Sequence, residues 1–201
     1  MSEQRHYFSH KAGSIMSNMA AAPIAIWGKT FDTAEHAYQW RKCDMMGFNS
    51  LARQVLTARN QPKRVKKLAN KIDRNQRKLW RLSTEIHITL MYEVLQAKYK
   101  QSNEFRKEVV AKKSMYLLED TLDKYWGMGC THYLAVGTEV ERMPGENVMG
   151  RLLMLLGRLE GENVDSPLAP RLNYRALDQL LEANSSLEIS NSREPEQDMK
   201  N

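Results

Sequence analysis

The chain has 201 residues, 42% hydrophobic and 27% charged, with a net charge of +6 and a pI near 9.3. That length suits one domain, or one domain plus a tail, with enough chain to bury a sizeable core. The longest strongly apolar run, "LLMLL" at 152–156, is far too short to cross a bilayer, and the polar start "MSEQRHYFSH" lacks the apolar stretch of a secretory signal. The positive excess admits acidic partners, nucleic acid or phosphorylated small molecules, without proving them.

Residues 1–12 read as a polar arm or a short strand. "PIAIWGKTF" (23–31) places β-branched residues on both sides of Gly28, which predicts a short hairpin or bend. Asp32 and Thr33 then open a helix to about Met45, followed by a short helical stretch over 47–60 that "RNQP" ends. Pro62 suits the first turn of the next helix, about 62–80, where Val65, Leu68, Ala69, Ile72 and Leu79 form a narrow apolar stripe on a very basic body. The clearest helix is 83–101, apolar along Ile86, Leu90, Met91, Val94 and Leu95, with Lys98 falling in the same period. A further helix follows Asn103.

"EDTLDKYWGMG" (119–129) reads as a turn into a glycine-rich loop, and 130–146 shows no clear period. A strongly apolar helix over 146–160 follows, then a last helix at about 172–184 and a polar tail rich in Ser, Asn, Glu and Pro. The expectation is a catalytic domain over 1–162, an accessory helix within 163–184 and a disordered tail over 185–201. The fold class expected is mostly α (α+β), multihelical with a small β element. Cys43 and Cys130 have no metal or redox spacing and read as reduced thiols in a soluble, cytoplasmic protein (nuclear if eukaryotic). The histidines give no metal spacing, and no cofactor or membrane partner is expected.

Four short segments could carry chemistry. In "DTAEH", Asp32 and Glu35 have the spacing of a capping box, while Glu35, Gln39 and Lys42 fall on one helix face. A carboxylate, an amide and an ammonium there suit a polar substrate; a solvated outer face fits the same spacing. His36 reads as a packed or hydrogen-bonded core residue. "TLDKYWGMGC" joins Asp123 to Trp126 and Gly127, an acid and a flat ring beside a permissive backbone, or else a buried ring at a tight turn. "PGENVMG" puts Asn147 and Gly150 in the first turn of a helix, where free N–H groups suit an anion and where plain helix packing is equally natural. Ser17 and Asn18 precede the hairpin. The run from Lys63 to Arg81 is either a solvated face or a nucleic-acid footprint.

In this order the segments "GSIMSNMAAAPIAIWGKTFDTAEHAYQWRK", "WRLSTEIHITLMYEVLQAKYKQ", "LLEDTLDKYWGMG" and "GENVMGRLLM" resemble the NADAR superfamily, also called YbiA-like, over about residues 7–160. The resemblance implies a mostly helical fold and an N-glycosidase. One branch of the family acts on phosphoribosylamino intermediates of riboflavin synthesis, another removes ADP-ribose from modified guanine in nucleic acid. It places Glu35 and Asp123 as catalytic carboxylates and Ser17, Asn18, Gln39, Lys42, Trp80, Trp126, Gly127, Asn147 and Gly150 as substrate-binding residues. The partners implied are an ADP-ribose-containing or phosphoribosyl substrate and, in one branch, nucleic acid. A non-catalytic ADP-ribose or nucleic-acid binding module is the contrasting reading. Two departures stand out: 130–146 is longer than in many members, and "MAAAP" replaces the usual aromatic residues after "SN".

Overall fold

A computed structural model describes residues 4–72 and 84–160, without the side chains of 84, 85 and 158–160. Trp80, the accessory helix and the tail lie outside these residues. In chain order the elements are β1 (Arg5–Phe8), β2 (Ile24–Ile26), β3 (Lys29–Phe31), α1 (Ala34–Met45), α2 (Asn49–Thr57) and α3 (Pro62–Ala69). Then come α4 (Thr84–Gln101), α5 (Asn103–Ala111), β4 (Tyr116–Glu119), α6 (His132–Ala135), a 3₁₀ turn at Val140–Arg142 and α7 (Val148–Glu160). The class is mostly α, α+β, as expected. Among the described residues no helix is long and apolar enough to cross a membrane.

The hairpin at Gly28 forms. Strands β2 and β3 pair antiparallel with Ile24 opposite Phe31. Trp27 and Gly28 take φ values of 51° and 67°, the pair of left-handed residues that a two-residue type I′ turn demands. Tryptophan is an uncommon choice there, and packing holds it. Its ring lies 6.2 Å from that of Trp40, and the Arg41 guanidinium sits 5.4 Å from its centroid. The carboxamide of Gln101, at the end of α4, both donates to and accepts from the backbone of Ala25, at 2.8 and 2.7 Å. This ties the hairpin to the longest helix.

Strand β4 is a feature that the sequence reading lacked. It pairs parallel with β1, from Arg5 opposite Tyr116 to Phe8 opposite Glu119. Four residues are too few to show a period, and they sit between helical patterns. One apolar cluster joins the hairpin and α1 to α2, α3 and α4 through Phe31, Ala37, Trp40, Val55, Val65 and Val94. On the other side, α7 packs against β4, α4 and α5, with Leu95, Phe105, Val109, Leu117 and Leu152 buried. Gly150 permits this approach, because a Cβ there would overlap the Leu117 carbonyl oxygen.

Candidate active site

Helix α1 is buried on two sides. Ala34, Ala37, Trp40 and Cys43 face the apolar cluster. Glu35, Tyr38, Gln39 and Lys42, at the i, i+3, i+4, i+7 positions of one face, line a cavity of about 1080 Å³. The N-cap falls one residue later than expected, which takes Glu35 out of the N3 position of a capping box. Thr33, not Asp32, is the N-cap, and its hydroxyl accepts the His36 N–H at 3.1 Å. Asp32 instead accepts the N–H of Asn60 at 2.8 Å. Glu35 is thereby relieved of capping. Its own N–H goes to the Asn18 carbonyl at 2.9 Å, and its carboxylate accepts from Gln39 Nε2 at 2.9 Å. Both side chains are buried, at 6% and 5% exposure, so this is no solvated outer face. His36 is a hydrogen-bonded core residue, its Nε2 2.6 Å from the Val55 carbonyl, and burial lowers its pKa.

Two acceptors in this wall find no donor among the described residues: Gln39 Oε1 and Asn18 Oδ1, both buried. A buried acceptor without a donor is costly, so these two mark a wall that is not built for packing alone. Ser17 and Asn18 belong to the loop between β1 and β2, and both line the cavity. Asn18 Nδ2 rests 3.3 Å from the sulfur of Met91 on α4.

Asp123 and Trp126 reach the same cavity. One carboxylate oxygen of Asp123 accepts the N–H groups of Tyr125 and Trp126 at 3.0 Å each, so this acid shapes the turn that presents the indole. Trp126 stands edge-on between Tyr38 (5.6 Å) and Tyr125 (5.0 Å).

Glu119 was missed in the sequence. It ends β4 and lines the cavity beside Glu35 and Asp123. Burial, then the charges of Glu35 and Asp123, push its pKa up to about 7, with Lys66 acting in the opposite sense. The sequence signal was a carboxylate, with Asp120 directly after it, closing the apolar triplet Tyr116, Leu117 and Leu118. A second missed group is His132, whose Nδ1 lies 2.8 Å from Asp120 while its backbone N–H meets the other oxygen of that carboxylate at 3.2 Å. Both residues line the cavity, so the long loop after the glycine turn contributes to its wall.

Three expected ligand-holding residues do not line the cavity: Gly127, Asn147 and Gly150. Asn147, at φ 48°, donates from Nδ2 to the Leu117 carbonyl (2.8 Å) and accepts the Glu119 N–H on Oδ1 (3.0 Å). Its side chain is spent on β4. The N–H groups of Asn147, Val148 and Met149 go to the carbonyls of Gly127, Tyr125 and Trp126. The start of α7 is therefore occupied by backbone and offers no anion site. At Gly127 a Cβ would overlap the Thr121 methyl. These residues set the backbone that carries Glu119 and Trp126.

The rim is cationic. Lys63, Lys66 and Asn70, one face of α3 and its end, line the cavity together with Lys11 and Lys124. The basic run of the sequence thus borders the site along its first turns; its remainder, Arg74 to Arg81, lies outside the described residues.

A cavity with carboxylates in its wall, flat rings beside them and ammonium groups at its edge has the makings of a hydrolase for glycosidic bonds. A NADAR domain matches residues 2–158. The N-glycosidase YbiA of Shigella boydii serotype 4 is 32% identical over 142 residues, covering 70% of this chain and 77% of that protein. The YbiA N-glycosidase of Escherichia coli K12 is 31% identical over 141 residues, with the same coverage. The NMR structure of E. coli YbiA aligns with a TM-score of 0.58 at 28% identity, covering 79% of this chain and 87% of that one. The chain belongs to the NADAR domain family, and it is an enzyme of the N-glycosidase kind.

Proposed function

We propose that the chain hydrolyses the N-glycosidic bond of ADP-ribosylated guanine in nucleic acid, with Glu35 as the central carboxylate. The observation that carries this reading is the gathering of Glu35, Glu119 and Asp123 in one cavity under a rim of lysines. Breaking a bond from ribose C1 to nitrogen sends the electron pair to the leaving base and leaves positive charge on C1 and the ring oxygen. The Glu35 carboxylate stabilises that charge and then takes the proton of the water that adds to C1. The leaving nitrogen needs a proton, and Glu119, with its pKa near 7, holds one to give. Asp123 orients a ribose hydroxyl. Trp126 stacks on a base or adenine ring. Lys42 meets a phosphate or the leaving base, with Ser17, Asn18 and Gln39 on ribose hydroxyls. Gly127, Asn147 and Gly150 serve by positioning Glu119 and Trp126.

Two further observations favour the larger, nucleic-acid-borne substrate. The cavity exceeds what a small sugar phosphate fills, and Lys63 and Lys66 continue into the exposed basic face of α3. The test is mass spectrometry of a guanine-ADP-ribosylated oligonucleotide incubated with the full chain, with Glu35→Gln alongside. Wild type releases free ADP-ribose, and Glu35→Gln lowers turnover by about 10² or more. Cleavage of only a phosphoribosylamino riboflavin-pathway intermediate would replace this substrate assignment. Binding without turnover, unaffected by Glu35→Gln, would make the protein a binding module.

A further inference from the structure

We propose that Lys98 is a positioning residue for the site: its ammonium fixes the loop that carries Ser17 and Asn18, and through that loop the first turn of α1. Lys98 lies on α4 among apolar neighbours and is 0% exposed. Its Nζ donates to the carbonyls of Ile15 at 2.7 Å and Ser17 at 3.0 Å, and the Phe105 ring lies 4.4 Å beneath it. Burial draws its pKa down to about 7. A neutral amine still has two hydrogens for these two carbonyls, so the hold survives in either protonation state.

The connection onward is continuous. The Ser17 carbonyl also accepts the Ala20 N–H at 3.1 Å, and the next carbonyl, that of Asn18, takes the Glu35 N–H at 2.9 Å. Asn18, carried by the same loop, lines the cavity that Glu35 lines, and its Oδ1 is buried with no donor among the described residues. A methionine would fill the space of Lys98 at far less desolvation cost. It could not hold two carbonyls of one loop. The buried charge is therefore explained by the loop shape that it enforces, and that shape orders two cavity residues on different elements.

The inference depends on this cavity being the reacting site, and its test has an arm that needs no substrate. Hydrogen-exchange mass spectrometry of the full chain compares wild type with Lys98→Met. Expected is faster exchange over 14–20 and in the first turn of α1, with α5 unchanged. In activity, Lys98→Met lowers kcat/KM about tenfold or more. Adding Asn18→Ala to it costs little further, because both changes act through the same stretch of loop at the cavity wall. Unchanged exchange over 14–20, or full additivity with Asn18→Ala, would overturn the proposal. If Lys98→Met fails to fold, Lys98→Gln, a neutral amide whose nitrogen falls one bond short of the two carbonyls, takes the same two measurements. Failure of the substrate assignment would leave the exchange result standing, so the two can be told apart.

Discussion

The two faces of α1 are buried almost equally and are built on opposite terms. On the core face, Ala34, Ala37, Trp40 and Cys43 pack into the apolar cluster, and the one charge near them, the Lys29 ammonium 5.2 Å over the Trp40 ring, is held as a cation on an aromatic face. On the cavity face, Glu35 and Gln39 are just as hidden, yet their carboxylate and amide satisfy each other only in part. Burial alone does not mark a site. What marks it is burial with hydrogen-bonding capacity left over, a cost that a purely structural face would have removed.

The sharpest way to test this contrast is on the core face. Trp40→Ala removes a ring that packs on Phe31 and Trp27 and touches nothing in the cavity. It should cost about 3–5 kcal/mol of stability, read as a large fall in the denaturant midpoint. Residual folded enzyme should turn over normally.

Glu119→Gln probes the cavity wall. The folded pKa of about 7 lies above the usual 4.5 of a free glutamate, so the folded state holds more protons than the unfolded one between these values. Stability therefore falls as pH rises through that window, by about 3 kcal/mol. The variant should flatten that fall and gain stability above pH 7. Wild-type kcat should likewise decline as pH rises past about 7, whereas Glu119→Gln, though the more stable there, should be slow throughout. Retention of the wild-type pH profile would remove Glu119 from proton donation.

The smallest effect belongs to Gln39→Ala. It loses one hydrogen bond to Glu35 and also one stranded acceptor, so thermal stability should shift by less than about 1 kcal/mol. KM should rise more than kcat falls. A large loss of stability would show that the cavity face is structural after all.

Much of this was legible in the sequence. Asp32 and Thr33 marked the start of α1, the 3.6-residue period exposed α4, and the β-branched residues around Gly28 predicted the hairpin. Glu35, Gln39 and Lys42 share a face by spacing alone. The rest was hidden for physical reasons. Strand β4 is too short to carry a period, and with it went Glu119, whose meaning depends on carboxylates distant in the chain. Lys98 sat in an apolar stripe and read as one more periodic position; a lysine at a core position was the anomaly to notice. Asn147 suggested a ligand contact, since the residue type suits both roles and only the backbone geometry decides between them.

Asn147 has one further consequence. In a parallel ladder alternate residues of β4 turn towards β1, as Tyr116 and Asp120 do through the carbonyls of Gln4 and Phe8. Leu117 and Glu119 face the opposite edge, and there the Asn147 carboxamide answers one carbonyl and one N–H as a third strand would. A two-stranded sheet normally leaves an edge to which another chain can add. Here the Asn147 carboxamide, with the Met128 N–H on the Glu119 carbonyl at 3.1 Å, closes it, so the folded strand that bears Glu119 offers no ladder there to a second copy.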